Sequence, residues 1–158
     1  MSNITNAPIK YVPFKDFTNT EHLMCINNEN LFRRAIDMGF EPEDFAKKYM
    51  DSDFCLLEID RPYSVRQLSW DGENMDFLLE EITPNKSNKQ YDVNIVGYIG
   101  YIYRYLQMRL GIPSRLLYER RPFRFMVANY PIMHTHSCEW VVDEIGEEHF
   151  PERRNANE

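Results

Sequence analysis

Residues 92–111 read DVNIVGYIGYIYRYLQMRLG, and this stretch decides the fold. Placed at about 100° per residue, its side chains form three stripes along one helix. The broadest stripe is apolar: Ile95, Val96, Ile99, Ile102, Tyr103, Leu106 and Leu110. The other two contain Tyr98, Tyr101, Tyr105 and Arg109, and Gly97, Gly100 and Arg104. A helix that is apolar around so much of its circumference is predicted to lie at the centre of the molecule.

The two glycines of this helix predict a close contact. Gly97 and Gly100 each cost roughly 1 kcal/mol of helix propensity relative to alanine. That cost is reasonable only where another backbone packs closely against the helix.

Helical patterns also precede and follow this stretch, and long alternating strand patterns are absent. Starts are predicted at Asn28, Pro42, Ser114 and Ser137, with stops at Gly39, Gly111 and the Asn129-Tyr130-Pro131 break. Further helices are expected over about 73–82 and 122–128. The sequence therefore predicts an all-α fold, a single compact domain of about seven helices around the aromatic-rich helix. Residues 1–20 are predicted to be a flexible N-terminal arm, 21–146 the helical domain, and 147–158 a charged C-terminal tail.

Composition narrows the class of protein. Aromatic residues make up 14% of the 158 residues, which argues against a disordered chain. The net charge of −7 argues against a general nucleic-acid binder, whose surface is basic. Three dispersed cysteines favour free thiols and a cytoplasmic protein, and no segment is typical of a signal peptide or membrane span.

The stretch PIMHTHSCEW, residues 131–140, is the best candidate for a catalytic or metal-binding site. His134, His136 and Cys138 are possible zinc ligands, or a cysteine nucleophile with its base. Alternate residues share one face only in an extended strand, whereas Ser137 is expected to begin a helix. We therefore expect a structural turn at the helix entry, no catalytic or metal site, and no cofactor.

Two further clusters leave alternatives open. Arginines interleaved with aromatic residues are compatible either with single-stranded nucleic acid or with a solvated helix face. These arginines are Arg115, Arg120, Arg121 and Arg124. The tyrosine stripe is either core packing or a protein interface.

The chain resembles a group of short bacterial proteins encoded beside ADP-ribosyltransferase-like toxins, in what look like toxin–antitoxin cassettes. The resemblance rests on GYIGYIYRY, SRLLY, the Y-P-x-x-H-T pattern at 130–135, VVDEI, and the front segment ENLFRRAIDMGFEPEDFAKKYMDSDFC. It implies a non-enzymatic antitoxin or accessory partner that occludes the toxin's cleft. The residues themselves leave two alternatives, a nucleic-acid-binding regulator that uses the Arg115–Arg124 region and, less favoured, a zinc- or cysteine-dependent enzyme at His134, His136 and Cys138. The partner-binding residues expected are Tyr98, Tyr101, Tyr105, Arg104, His134, Thr135 and Trp140.

Overall fold

The computed structural model of the chain describes residues 8–153, apart from the side chains of 147 and 148. Within that range the protein forms seven α-helices: α1 (Asn19–Asp37), α2 (Pro42–Met50), α3 (Asp71–Leu78), α4 (Val93–Leu110), α5 (Ser114–Arg120), α6 (Phe123–Met133) and α7 (Cys138–His149). A π-helical turn (Cys55–Ile59) and a 3-10 turn (Val65–Leu68) connect α2 to α3. The only β-type pairing among the described residues is an isolated bridge between Phe40 and Lys86. The prediction of an all-α fold is confirmed.

Helix α4 lies at the centre, as predicted. It packs most extensively against α1 and also contacts α5, α6 and α7. Ile99, Ile102 and Leu106 are completely buried, and burial of apolar side chains is the main force that holds such a helix in place. The helix ends where Gly111 takes up a left-handed backbone with φ of 64°, a conformation that costs glycine little.

The close contact predicted from the glycines is present between α4 and α1. A Cβ atom on Gly100 would lie 2.9 Å from the backbone oxygen of Asn28 and 2.8 Å from Cγ of Phe32. Asn28 donates a 2.6 Å hydrogen bond to the Gly100 carbonyl across the same contact. At Gly97 the near neighbour is the side chain of Arg33 rather than a backbone.

Several predicted helix boundaries are wrong, among them the end of α3, which lies at Leu78 and not at about residue 82. Asn28 is not a cap but lies buried inside α1, which begins nine residues earlier with a capping box formed by Thr18 and Glu21. Pro131 does not break α6, which continues to Met133. Proline lacks a backbone N–H and so removes one hydrogen bond from a helix. The other backbone hydrogen bonds of α6 are retained, and the helix continues for two residues beyond Pro131. The predicted start at Pro42 and the cap at Ser137 are confirmed. Ser114 was predicted to cap α5 but is its first residue, after the N-cap Pro113, and its hydroxyl donates to Asp60 instead.

The ends of the domain differ from the predicted boundaries. Val12 is buried and donates to the Met108 carbonyl at 2.9 Å, and Lys10 N–H donates to the Asp60 carbonyl at 2.6 Å. Residues 10–20 therefore belong to the packed domain rather than to a flexible arm. At the other end Phe150 is completely buried, so the helical domain extends beyond residue 146. Residues 1–7 and 154–158 lie outside the described part.

No helix in the described part of the chain combines the length and the apolar character needed to cross a membrane.

Candidate interaction surface

Two of the residues expected to contact a partner lie in the core. Arg104 is 2% exposed and Tyr105 is 3% exposed. The Tyr105 hydroxyl donates to Glu139 at 2.6 Å, and Arg109 donates to the same hydroxyl at 3.1 Å. Arg104 and Tyr105 are therefore structural residues, and that part of the predicted interface is corrected. Aromatic periodicity alone does not distinguish a buried tyrosine from an interfacial one.

Arg104 is the centre of a buried polar network. Its guanidinium donates to Asp60 at 2.7 Å, to Gln107 at 3.0 Å and to the Tyr49 hydroxyl at 3.1 Å. Asp60 also accepts the backbone N–H of Ser114 at 2.8 Å and its hydroxyl at 2.6 Å. These hydrogen bonds connect Tyr49 of α2, Asp60 at the end of the π-helical turn, α4 and the first residue of α5. A buried charge requires such partners, because unpaired burial is costly.

The network is solvent-excluded, which determines what its groups can do chemically. Burial, with a smaller contribution from Asp60, raises the pKa of the Cys55 thiol to about 12. Burial likewise raises the pKa of Tyr49 well above its usual value. Since a reactive cysteine needs a lowered pKa and an accessible sulfur, Cys55 is a structural thiol.

Tyr98 and Tyr101 lie at the edge of the core and keep part of their surface exposed. Tyr98 contacts the ring of Tyr130 edge to face, with centroids 5.4 Å apart. The Tyr101 hydroxyl is 2.5 Å from Nδ1 of the exposed His22. Burial raises the pKa of both tyrosines, so both hydroxyls stay protonated at physiological pH. Their contact with a partner stays a prediction.

The His-Thr-His stretch forms the turn between α6 and α7. His134 stacks on Tyr130 with ring centroids 4.3 Å apart, and His136 stacks on Trp140 at 4.0 Å. Nδ1 of His134 lies 2.8 Å from the Tyr130 carbonyl, and the Thr135 hydroxyl donates to the Ile132 carbonyl at 2.8 Å. Both histidines therefore brace the turn through different neighbours, although His134, Thr135 and His136 are themselves exposed.

An apolar groove of about 430 Å³ lies beside this turn, between α6 and α7. Phe125, Ile132 and Trp140 contribute to its walls, and Ile132 is 54% exposed. Trp140, one of the predicted partner-binding residues, thus lines this groove.

The structure does not bring the candidate metal ligands together. Among the described residues, no group of three or more His, Cys, Asp or Glu side chains is arranged to hold a metal ion. Cys138 is partly buried at the first turn of α7, and burial raises the pKa of its thiol. A partly buried thiol with a raised pKa is not the activated thiolate that nucleophilic catalysis requires.

We expect the native thiols to react slowly with an aromatic disulfide reagent at mildly alkaline pH. Cys25 and Cys55 are completely buried, and raised pKa values leave little thiolate at either site or at Cys138. All three thiols should react rapidly after denaturation in guanidinium. A native thiol that reacted faster than free cysteine would contradict this assignment and reopen the cysteine nucleophile.

The arginine cluster is occupied by contacts within the domain. Arg115 pairs with Asp53 at 3.2 Å, Arg120 with Glu152 at 2.6 Å, and Arg124 with Glu43 at 3.1 Å. Arg121 lies 4.9 Å above the ring of Phe125. Three of these arginines are thus paired with carboxylates and the fourth contacts a ring, although the Arg124 side chain is 83% exposed. Nucleic-acid binding by this cluster stays a prediction.

Large exposed apolar side chains are concentrated in α3 and in the connection that leads to it from the π-helical turn. Their exposed fractions are 96% for Tyr63, 71% for Val65, 51% for Leu68, 66% for Trp70 and 45% for Phe77. We call these five residues the 63–77 surface. Single exposed apolar residues are ordinary, whereas several within one short segment are typical of interaction sites.

The framework under the 63–77 surface is held by polar contacts. Gln67 is buried and donates to the carbonyls of Ile59 and Arg61 at 2.9 and 2.5 Å. Asn27 of α1 donates to the Gln67 carbonyl at 3.1 Å. Arg34 reaches from α1 to pair with Asp71 at 2.6 Å. The exposed side chains therefore project from an anchored segment.

Tyr63 has the most unusual backbone of the surface. Its φ of 66° is the only positive value among the described non-glycine residues. A left-handed conformation costs an L-residue roughly 1–2 kcal/mol, and Gly or Asn adopts it more readily. Here it holds a tyrosine whose side chain is 96% exposed.

The excess of acidic residues in the sequence falls within residues 51–82, a range that includes the 63–77 surface. Residues 51–82 contain nine acidic and two basic residues, a net charge of −7 that equals that of the full chain. The rest of the chain carries equal numbers of acidic and basic residues. Two features of the sequence indicate this surface. One is the separation of charge, and the other is a group of apolar residues between Pro62 and Gly72 that follows no helical or strand period.

No family model, curated protein or solved structure matches this chain.

Proposed function

We propose that this chain is a non-catalytic interaction protein, the antitoxin or accessory partner of an ADP-ribosyltransferase-like toxin, and that it acts by occluding the toxin's cleft. The single observation that carries the interaction role is the 63–77 surface, with five large apolar side chains exposed on one anchored segment. Such surfaces bury against another macromolecule more favourably than they face water. The resemblance of segment 92–145 to proteins encoded beside these toxins supports the choice of partner.

The test is co-expression with the product of the gene beside this chain's own, which the proposal expects to be an ADP-ribosyltransferase-like toxin, followed by affinity purification. We expect growth of the host to be rescued and the two proteins to elute as one complex. Two independent elution peaks and no rescue would refute the proposal. The purified chain added to an unrelated ADP-ribosyltransferase serves as the specificity control.

Titration of the purified toxin with the chain separates occlusion from enzymatic reversal. If the chain occludes the cleft, ADP-ribosylation falls in proportion to the amount added and stops at one equivalent. Removal of ADP-ribose from pre-modified target by trace amounts of the chain would instead establish an enzyme, and would overturn the non-catalytic proposal.

A further inference from the structure

We propose that the 63–77 surface is the docking site for a basic polypeptide segment of the partner, one that carries apolar residues alongside lysine or arginine. The inference rests on the proposed function in assuming a protein partner. It goes further in naming the surface and the chemistry of what binds there. Neither the 63–77 surface nor its charge was part of the interface expected from the sequence.

The apolar side chains supply the contact area. Tyr63, Val65 and Leu68 project from the segment that includes the 3-10 turn, and Phe77 from α3. Leu23 of α1 is 51% exposed and lies one helical turn before Asn27, whose side chain reaches the 3-10 turn. Exposed apolar side chains therefore lie on α3, on the connection that includes the 3-10 turn, and on α1, and α1 packs against both of the other elements. Tyrosine and tryptophan are the residues most enriched where protein partners bind.

Charge selects the class of occupant. Glu58, Asp76 and Glu80 form no ion pair within the described part of the chain. Nucleic acid and anionic membranes would be repelled by this region, whereas a basic polypeptide would be attracted. Asp53, Asp60 and Asp71 of residues 51–82 are neutralised by arginines from outside that segment. The attraction for a basic partner therefore comes from the carboxylates that lack an ion pair, as in Glu58, Asp76 and Glu80.

A depression beside Phe77 offers a place for one cationic side chain. It has a volume of about 500 Å³ and is lined by Phe54, Glu58, Arg66, Phe77, Glu80 and Glu81. Arg66 already lies 4.7 Å above the Phe77 ring while pairing with Glu73, so the ring accepts a guanidinium on one face. Three carboxylates against one guanidinium leave the depression negative. An arginine or lysine of the partner would meet both aromatic and carboxylate groups there.

The backbone of Tyr63 is consistent with selection of the side chain for binding. A tyrosine that is 96% exposed contributes little to packing, yet it occupies a left-handed position where Asn or Gly is less strained. Replacement by asparagine therefore removes the aromatic ring without disturbing the fold.

The test uses the full chain and two defined peptides, one of alternating lysine and leucine and its counterpart of alternating glutamate and leucine. Affinities are measured by fluorescence anisotropy of labelled peptide. We expect the lysine peptide to bind and the glutamate peptide not to bind. Asp76→Lys with Glu80→Lys, and separately Tyr63→Asn with Val65→Ser, should each weaken binding of the lysine peptide by about tenfold or more.

The matched control changes the same amount of charge elsewhere. Glu119→Lys with Asp143→Lys alters exposed residues of α5 and α7 that lie outside the 63–77 surface. We expect this variant to bind the lysine peptide within about twofold of the original chain, since distant exposed charges are screened by salt. Equal weakening by both charge variants, binding insensitive to all the variants, or no binding at all would each overturn the docking site. Circular dichroism verifies that every variant is folded.

The same variants distinguish this inference from the proposed function. A toxin complex that forms normally with the Asp76→Lys and Glu80→Lys variant would leave the antitoxin role intact and refute the docking site. Lysine-peptide binding that depends on the 63–77 surface, without any complex with the toxin, would support the docking site and refute the toxin as partner.

Discussion

Asp60→Ala should lower the free energy of unfolding by about 3–5 kcal/mol, the largest loss we expect from any single substitution in this chain. The change removes the acceptor of the 2.7 Å bond from Arg104 and leaves that guanidinium buried without its charge partner. It also removes the acceptor for the backbone and hydroxyl of Ser114. Urea denaturation followed by circular dichroism measures the loss.

Asp53→Ala is the matched control for this prediction. Asp53 also pairs with an arginine, at 3.2 Å, but its side chain is 55% exposed. Exposed pairs contribute about 0–1 kcal/mol because water and salt screen them. If both alanine variants lost the same free energy, burial would not explain the importance of Asp60.

A double variant separates the value of the pair from the cost of breaking it. Asp60→Leu combined with Arg104→Met replaces both charges by apolar groups. We expect this protein to be more stable than Asp60→Ala, because no buried charge is left unpaired. A double variant as unstable as Asp60→Ala would mean that the hydrogen bonds to neighbouring groups, rather than the charge pair, hold the core together.

Gly100→Ala is the second large effect, with an expected loss of about 1–2 kcal/mol. The new methyl group would lie 2.9 Å from the Asn28 backbone oxygen and 2.8 Å from Phe32. Overpacking costs about 1–3 kcal/mol, and two contacts under 3.0 Å, one of them to a backbone atom, place this site in the upper part of that range. The gain in helix propensity of roughly 1 kcal/mol offsets only part of the cost. Thermal and urea denaturation both measure the change.

Gly97→Ala tests the physical reason behind that prediction. Its methyl group would meet Nε of Arg33 at 2.7 Å, and this side chain is about one-third exposed and free to shift. We expect the stability to stay within about 0.5 kcal/mol of the original or to rise, since alanine improves helix propensity. A loss equal to that of Gly100→Ala would show that the two sites are packed alike.

Much of the fold followed from local patterns. The stripes of residues 92–111 predicted a central helix, and its glycines predicted the close contact now found between Gly100 and Asn28. Pro42, Gly39 and Gly111 marked helix ends correctly because proline and glycine act through their own backbone angles. The position of Asn28 was missed because an asparagine suits both a helix cap and a buried hydrogen bond.

The proposed interaction surface was not predicted from the sequence. Tyr105 and Arg104 have the residue types of interface hot spots, yet burial places both in the core. Tyr63 and Trp70 are exposed because of the way the connection between α2 and α3 packs against α1. The periodicity of a sequence does not predict such packing between elements. Charge separation was visible in the sequence, but its coincidence with exposed apolar residues required the folded chain.

The sequence by itself determined the all-α class, the central place of α4 and the glycine contact, because these depend on interactions within a few turns of one helix. Only the tertiary structure decided that Arg104 pairs with Asp60 and that the 63–77 surface stays uncovered. Residues 60 and 104 are 44 positions apart, and their meeting depends on how four separate elements pack together. The same packing decides which tyrosines are buried and which remain free to bind.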